Sequence, residues 1–231
     1  MKTYKINSQP KIIILCGKNY VSTSIWDFLE EQNENIVKVF KEPDLITADI
    51  ISSYRPDIII TCYWPFLLKP EIFNIPQFGC INFHPGLLPL NRGWYPAMWP
   101  FIDGSQAGVT LHLIDEGADT GPILAQATID LTELDDLGTI YSKSQELMIS
   151  LFKDTWMKIK SDGIQLIEQS GNMTYHSKTE GNNLNEIKLD DTYKVQDLFN
   201  ILKSRMFGDK SFAYYIKDGK KYTINFKIND I

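Results

Sequence analysis

The sequence is poor in the residues that build disulfide frameworks and metal sites. Its 231 residues include three cysteines, at positions 16, 62 and 80. They form no CxxC pair, and an odd number does not suit a closed disulfide framework. Each lies at or near the end of an apolar run, so we interpret them as small buried residues in a reducing compartment. The sequence offers no cluster of metal ligands, and we expect no metal site.

Basic residues and long hydrophobic runs are also scarce. The chain has 23 Lys and Arg against 29 Asp and Glu, a formal net charge of −6. A general nucleic-acid surface needs a basic face, so this balance argues against one. The apolar run at residues 12–15 is too short for a signal peptide or a membrane span. We therefore expect a cytoplasmic protein that binds neither nucleic acid nor membrane.

Short apolar runs alternate with helical patterns in the first part of the chain. The continuous β-branched runs predict strands that are buried on both faces. The order βαβαβ predicts an α/β, Rossmann-like domain with a mostly parallel twisted sheet and helices on both faces. The expected strands are residues 12–16, 36–40, 57–62, 80–84, 108–114 and 123–131, and the expected helices are 22–29, 43–54, 97–103 and 137–159.

The character of the sequence changes after about residue 167. Residues 171–191 are polar and are predicted to form an extended crossing segment. A helix is expected at 195–206, followed by strands at 212–216 and 222–228 that flank Asp218-Gly219, a strong hairpin signal. The chain is thus expected to divide into a Rossmann-like domain, residues 1–170, and a small helix and β-hairpin appendage, residues 171–231.

A polar pair lies at the end of the predicted strand 80–84. Asn82 and His84 are two residues apart, so their side chains point to the same face of the sheet. They converge at the carboxyl end of the strand, where open α/β sheets place their ligands. On these residues alone, a structural polar pair at a strand end and a reaction centre are both open.

Two motifs in a fixed order carry a resemblance to a known family. Residues 82–93 read NFHPGLLPLNRG, and residues 108–123 read GVTLHLIDEGADTGPI. Together they resemble the formyltransferases that use N10-formyltetrahydrofolate, among them the glycinamide ribonucleotide, methionyl-tRNA and sugar N-formyltransferases. The match covers about residues 79–126 closely and the rest of the Rossmann-like part more loosely. Gly86 stands where better-known members often have Ser.

The resemblance implies a folate-dependent N-formyltransferase with a catalytic trio of Asn82, His84 and Asp119. These residue types suit the chemistry. His84 accepts a proton from the attacking amine near neutral pH. Asn82 donates to the oxyanion, and Asp119 orients His84 or a bridging water and stabilises the imidazolium. We interpret His112 as structural and His176 as a surface or loop residue.

The resemblance also implies N10-formyltetrahydrofolate as co-substrate, with no metal. The pterin is expected between a segment at residues 64–68 and the acidic loop at residues 115–119, because aromatic and aliphatic walls with backbone donors suit a flat heterocycle. The expected cofactor-binding residues are Pro65, Phe66, Leu67, Leu68, Asp115, Glu116, Gly117 and Ala118.

The tail resembles the helix and hairpin of the sugar N-formyltransferases. It implies a nucleotide-linked amino sugar as acceptor, specifically dTDP-4-amino-4,6-dideoxyglucose in O-antigen and lipopolysaccharide synthesis, and a homodimer formed through the hairpin. From position alone, phosphate contacts are expected from the loop after the first strand and from a cation beyond the polar pair. Stacking on the sugar or base is expected from two aromatic residues. These candidates are Lys18, Asn19, Arg92, Trp94 and Tyr95.

Other functions remain open at this stage. One is formylation of glycinamide ribonucleotide, and another is a non-catalytic nucleotide-binding protein with the same fold. A plain loop role for Lys18 and loop packing for Trp94 and Tyr95 also remain open. An NAD-dependent oxidoreductase is disfavoured, because residues 17–20 lack the glycine spacing that a dinucleotide needs.

Overall fold

The computed structural model describes residues 3–43 and 46–230. In chain order the strands are β1 (Thr3–Tyr4), β2 (Lys11–Cys16), β3 (Asn35–Phe40), β4 (Ile58–Cys62), β5 (Cys80–His84), β6 (Arg92–Gly93), β7 (Ala107–Leu113), β8 (Ile123–Ile129), β9 (Ile164–Gln165), β10 (Tyr175–His176), β11 (Met206–Phe207), β12 (Lys210–Ser211), β13 (Tyr214–Lys217) and β14 (Lys220–Thr223). The helices are α1 (Tyr20–Glu31), α2 (Ala48–Tyr54), α3 (Pro70–Phe73), α4 (Trp99–Asp103), α5 (Leu137–Ser161), α6 (Lys178–Asn183) and α7 (Val195–Lys203).

The central element is a six-stranded sheet in the order β3-β2-β4-β5-β7-β8. The first four strands in this order are parallel to one another. In the sheet, β7 lies next to β5 and β8 lies next to β7, and both of these pairs are antiparallel. The mostly parallel α/β sheet predicted from the sequence is confirmed. The carboxyl ends of β4 and β5 therefore lie together at one edge, which is where α/β sheets bind ligands.

Helices cover both faces of the sheet, as expected from its continuous apolar strands. Ile12 and Ile14 of β2 are fully buried in the same cluster as Trp156 of α5. The intervening Ile13 is buried on the other face, with Ile51 of α2. Successive residues of a strand point to opposite faces, so one apolar strand requires a helical layer on each side. The three cysteines are buried in these layers.

The expected helix at residues 43–54 is shorter than predicted. α2 begins at Ala48, because the side chain of Thr47 accepts from the backbone N–H of Ile50 and caps the helix. Residues 44 and 45 of the predicted helix lie outside the described residues.

The segment at residues 171–191, predicted to be extended throughout, contains a helix. α6 begins with a capping box in which Ser177 and Glu180 bond to each other's backbone N–H groups. The S-x-x-E pattern was a readable signal for this start. The prediction of an uninterrupted crossing segment is therefore wrong for residues 178–183.

The predicted β-hairpin is present at β13 and β14, but its second strand covers residues 220–223 and not the predicted 222–228, because the turn has only two residues. Asp218 and Gly219 have φ of 52° and 72°, the left-handed backbone that a two-residue turn of this type requires. α7 ends at Lys203, three residues before the predicted end, and the chain then enters the short ribbon of β11 and β12.

The division of the chain near residue 170 stays a prediction. In the described part of the chain, no helix is both long and apolar enough to cross a bilayer.

A buried carboxylate ties α5 to the loop after α1. The side chain of Glu34 is fully buried, and its Oε1 accepts from Trp156 Nε1 at 2.8 Å and from Lys160 Nζ. A buried charge is tolerated only when hydrogen bonds replace water. The indole N–H of Trp156 is therefore part of what allows Glu34 to be buried.

We expect Trp156→Phe to lower the free energy of unfolding by about 2–4 kcal/mol, because it removes a donor from a buried carboxylate and leaves a gap where the five-membered ring of a fully buried indole packed. Urea denaturation followed by circular dichroism measures the change. Trp26→Phe is the matched control, since Trp26 Nε1 makes the same bond to Glu30 Oε1 at an exposed position. The control is expected to cost less than about 0.5 kcal/mol. Equal losses in the two variants would contradict the interpretation.

Candidate active site

The predicted polar pair lies at the carboxyl end of β5, next to the antiparallel strand β7. In this register Asn82 is opposite His112, and His84 is opposite Thr110. These four side chains share one face of the sheet, because residues two apart on a strand point the same way and opposed residues face alike. The sheet thus brings a second histidine to the pair.

Asn82 is oriented by its neighbours on both sides. Its Oδ1 accepts from the Thr61 hydroxyl at 2.7 Å, and its Nδ2 lies 3.0 Å from His112 Nε2. His112 Nδ1 donates to the carbonyl of Leu113, so Nε2 of the neutral ring accepts from Asn82. Only one of the two Nδ2 hydrogens is used. The other N–H remains for a ligand in the cavity that Asn82 lines.

His84 is held by a backbone carbonyl on one side and faces a carboxylate on the other. Its Nε2 lies 3.0 Å from the carbonyl oxygen of Asn91. A carbonyl can only accept, so Nε2 carries the hydrogen and Nδ1 of the neutral ring has a lone pair. Nδ1 lies 3.5 Å from Asp119 Oδ2. Two hydrogen-bond acceptors, Nδ1 and Oδ2, therefore face each other across this gap. A proton bound to one of them would be hydrogen-bonded to the other.

Asp119 lies in the loop between β7 and β8 and has φ of 56°. Its Oδ2 accepts from the backbone N–H of Gly93 at 2.9 Å, and its Oδ1 is 3.5 Å from His112 Nε2. Left-handed backbone is tolerated by aspartate better than by most residues. The carboxylate therefore bridges the loops after β5 and β7 and touches both histidines.

The site keeps its histidine neutral and its carboxylate charged. Burial lowers the pKa of His84 from 6.5 to about 4, against the opposing effect of Asp119. Burial by itself raises the pKa of Asp119, but a hydrogen bond from His112 when its Nε2 carries a proton, the charge of a protonated His84 and the N–H of Gly93 outweigh burial and hold that pKa below its usual range. At neutral pH the pair is therefore an imidazole facing a carboxylate.

The loop after β5 passes directly over the ring of His84. A Cβ at Gly86 would lie 2.7 Å from His84 Nε2 and 2.9 Å from Pro96 Cβ. A side chain at this position would displace the ring or the loop. Gly86, the departure from the family pattern, is thus required by the close packing of this loop.

A cavity of about 370 Å³, which we call the Asp119 cavity, opens beside these residues. The eight residues expected to bind the co-substrate line it, together with Asn82, His112 and Asp119. Phe66 and Leu67 are exposed at its rim, with 50% and 89% of their surfaces accessible. The two segments named from the sequence therefore come together at the polar residues, although they are about 50 residues apart in the chain.

Arg92, an expected phosphate contact, is hydrogen-bonded to another side chain of the protein. Its Nε and Nη2 both donate to Gln169 Oε1, at 3.1 and 2.7 Å. Gln169 in turn donates to the carbonyls of Asp119 and Gly121. The guanidinium thus supports the acidic loop through Gln169. The expected contact of Arg92 with a pyrophosphate stays a prediction, and Gln169 already uses two of the donors of its guanidinium.

The other expected substrate contacts are divided between separate places. Lys18 and Asn19 line a third cavity with Cys16 and Lys41, away from the Asp119 cavity. Asn19 also caps α1 by accepting from Ser22. Trp94 lines the Asp119 cavity, whereas Tyr95 lines a second cavity on the other side of the loop.

Two residues at the site were missed from the sequence. Thr61 and Gln169 carried no signal, because each acts through a partner that is distant in the chain. The interpretation of His112 as structural stays a prediction; its side chain contacts Asn82 and lines the Asp119 cavity. Among residues 3–43 and 46–230, no group of three or more His, Cys, Asp and Glu is arranged to hold a metal.

Comparison with known proteins identifies two families along the chain. A model described as "Formyl transferase" matches residues 24–155, and one described as "N-formyltransferase dimerization C-terminal domain" matches residues 180–230. A curated relative, the methionyl-tRNA formyltransferase of Thermodesulfovibrio yellowstonii, is 38% identical over 126 residues, which cover 54% of this chain and 41% of the relative. The chain thus spans less than half of that relative's length.

Two solved structures are similar over most of the chain. A sugar N-formyltransferase from a Shewanella species has a TM-score of 0.83 at 21% identity and covers 96% of this chain and 99% of its own. A formyltransferase from Anoxybacillus kamchatkensis has a TM-score of 0.65 at 30% identity, covering 74% and 88%. That structure is a complex with UDP-4,6-dideoxy-4-formamido-L-AltNAc and tetrahydrofolate.

The depressed pKa of His84 predicts a pH-dependent stability. Between pH 6.5 and about 4, an unfolded chain binds a proton at this residue but the folded chain does not. The free energy of unfolding therefore falls as the pH is lowered through this window, by about 2–3 kcal/mol from this residue. His84→Gln should lose that slope. Urea titrations from pH 7 to pH 4.5 measure it.

The contribution of Asp119 is lost only at lower pH, because its folded pKa lies below its usual range. The window between pH 4.5 and 6.5 therefore reports on His84. Parallel pH profiles for the wild-type protein and His84→Gln would show that His84 titrates normally and would overturn the prediction.

Proposed function

The chain belongs to the formyl transferase family, and we propose that it moves a formyl group from N10-formyltetrahydrofolate to the primary amine of a nucleotide-linked amino sugar. One observation carries the proposal. Asn82 and Asp119 line a cavity together with both segments expected to hold the folate, and His84, buried behind Asp119, has its Nδ1 3.5 Å from Asp119 Oδ2. Each of the three side chains has a role in amine acylation that its contacts permit.

The walls of the Asp119 cavity fit a flat, polar heterocycle. The segment 64–68 supplies aromatic and aliphatic side chains, and the loop 115–119 faces it. Trp64 Nε1 is buried without a hydrogen-bond partner among the described residues, and buried donors normally have one. N10-formyltetrahydrofolate would supply an acceptor for this donor, and its formyl carbon is the atom that the amine attacks.

Asn82 acts at the oxygen that becomes negative. The Thr61 hydroxyl donates to Asn82 Oδ1 and so fixes the orientation of the amide. Nδ2 and its unused hydrogen then face the cavity. A donor that is already in place at a developing oxyanion contributes about 2.7–4 kcal/mol in comparable sites. Asn82 does this without adding charge beside Asp119.

Asp119, which lines the cavity, receives the proton that the amine releases and shares it with the buried His84 behind it. The lone pair of His84 Nδ1 faces Asp119 Oδ2, so a proton placed between them relieves an unfavourable contact. The low pKa of His84 keeps the ring free of that proton until the reaction delivers it. A negative charge developing near the ring favours the imidazolium, and the same group can then return the proton to the leaving nitrogen.

The acceptor is proposed from the relatives and the C-terminal part. The structure at 30% identity holds a UDP-linked formamido sugar, and residues 180–230 match a dimerization domain of N-formyltransferases. We propose dTDP-4-amino-4,6-dideoxyglucose as the specific acceptor, a cytoplasmic role in O-antigen and lipopolysaccharide synthesis, and a homodimer formed through the C-terminal hairpin.

A charged tRNA is the second candidate acceptor, favoured by the identity to a methionyl-tRNA formyltransferase. The net charge of −6 is against it, because tRNA binding needs a basic surface. Both acceptors would use the same reaction centre.

The test is an acceptor panel with N10-formyltetrahydrofolate: dTDP- and UDP-linked 4-amino sugars, glycinamide ribonucleotide and methionyl-tRNA. We expect formylation of a nucleotide sugar, detected by mass spectrometry. His84→Gln should lower kcat on that acceptor by about 10²–10⁴-fold while the protein stays folded. Formylation of methionyl-tRNA alone would replace the proposed acceptor, and full activity of His84→Gln would overturn the mechanism.

We expect Thr61 to act as a positioning residue through Asn82. Thr61→Val keeps the shape but removes the hydroxyl that donates to Asn82 Oδ1. Only the contact with His112 then orients the amide, so its donor is held less firmly at the oxyanion. We expect kcat to fall by about 10-fold or more, with little change in KM for either substrate.

Thr61→Ser is the matched variant, because it keeps the hydroxyl and loses only a methyl group. It should retain most of the kcat that Thr61→Val loses. If the two variants have the same kcat, the hydroxyl does not orient Asn82 during catalysis.

A further inference from the structure

A second cavity, of about 300 Å³, lies between the loop after β5 and the C-terminal part, and we call it the Arg205 cavity. The guanidinium of Arg205 lines this cavity and has no carboxylate partner among the described residues. Arg205 is 4% exposed, and its Nη2 donates to the carbonyl of Gly181 at 2.9 Å. Its Nε has no hydrogen-bond partner. Among the ion pairs of the described residues, none includes Arg205.

An arginine in this position is unfavourable for the protein on its own. Burial lowers the pKa of Arg205 to about 10, so the guanidinium stays charged at neutral pH. Buried charges in proteins are normally paired, because the lost hydration must be replaced. A chain that keeps an uncompensated cation beside a cavity has a place for an anion there.

The rest of the cavity suits a ligand with an aromatic part and polar edges. Tyr95, Phe207 and Phe212 are aromatic walls, and Asn182 and Asn185 lie at the same cavity. Flat rings pack on aromatic side chains, and amides read the donors and acceptors of a heterocycle. Its volume lies at the lower end of the range of small-molecule sites.

We propose that the Arg205 cavity binds the nucleoside diphosphate half of the acceptor, with the guanidinium of Arg205 contacting a phosphate and the aromatic walls holding the base. This rests on the proposed function, since it assigns the nucleotide of that acceptor to a place. It also moves the phosphate contact from Lys18 and Arg92, the sequence candidates, to a residue of the C-terminal part.

The position of the cavity agrees with an acceptor that reaches the reaction centre. Pro85, which follows His84 directly, lines the Arg205 cavity. Trp94 lines the Asp119 cavity and the adjacent Tyr95 lines the Arg205 cavity, with their ring centroids 5.9 Å apart. The two cavities therefore border on the same loop, and a nucleotide in one can direct its sugar towards the other.

The test measures binding of dTDP and UDP by isothermal titration calorimetry, which needs no formyl transfer. Arg205→Met removes the charge and keeps most of the volume. We expect its affinity for at least one of these nucleotides to fall on the order of 10–100-fold, as for the loss of a charge-assisted contact. KM for the nucleotide sugar should rise in parallel, with kcat less affected.

The thermal stability of the ligand-free variant separates a binding role from a structural one. If the role of Arg205 is to bind a ligand anion, Arg205→Met should melt at the same temperature as the wild-type protein or higher, because a buried unpaired charge is removed. The stabilisation that nucleotide gives to the wild-type protein should be lost. A large drop in Tm of the free protein with unchanged nucleotide affinity would overturn the proposal.

Two further variants keep the test decisive. Lys203→Met removes the same charge two residues away, from a side chain that already pairs with Glu133, and should leave nucleotide affinity unchanged. Asn185→Trp narrows the cavity, and no side-chain hydrogen bond of Asn185 is lost. It should weaken nucleotide binding at least 10-fold even if Arg205→Met does not fold, and unchanged affinity would contradict the proposal.

The outcomes also separate this inference from the proposed function. Arg205-dependent nucleotide binding without formylation of any nucleotide sugar would retain the site and reject the acceptor. Formylation with unchanged KM in Arg205→Met would retain the function and reject the site. If Arg205→Met dissociates a dimer in sedimentation experiments and leaves nucleotide affinity unchanged, a second copy of the chain occupies the cavity, and the inference is wrong.

Discussion

The reaction centre depends on how one loop is held against the end of the sheet. Asp119 has left-handed backbone, and its loop is closed by hydrogen bonds from Gly117 and Thr120 to Asp115. Gln169 ties this loop to the rest of the fold, by donating to the carbonyls of Asp119 and Gly121 while it accepts from Arg92. The N–H of Gly93 holds the carboxylate itself. Because these groups come from three separate segments, the carboxylate is in place only when the whole fold has formed.

That constraint explains the electrostatic state of the site. A neutral imidazole facing a carboxylate 3.5 Å away is not a resting ion pair, because burial opposes the second charge more strongly than Asp119 favours it. The site is thus ready to receive a proton that it does not yet hold. An exposed histidine with an ordinary pKa would be partly protonated before the amine arrived and would then be unable to accept its proton.

The sequence predicts the parts of this arrangement that depend on local pattern. The buried strands follow from runs such as residues 12–16, and the common face of Asn82 and His84 follows from the period of a strand. What could not be predicted depends on contacts between distant segments: Thr61 with Asn82, Gln169 with Asp119, and Arg205 with Gly181. None of these pairs has a spacing signal. The parallel pairing of β6 with β10 could not be predicted either, because a strand of two residues has no recognisable sequence pattern.

Under the proposed function, the loop from His84 to Tyr95 joins catalysis to acceptor recognition. Its first residue carries the imidazole, Gly93 holds the carboxylate, and Trp94 and Tyr95 face different cavities. Pairing of β6 with β10 attaches the same loop to the C-terminal part. A ligand that tightens this attachment would also fix the geometry of the proton acceptor. Under the proposed function, orienting both reactants in this way would contribute to the rate without any further catalytic group.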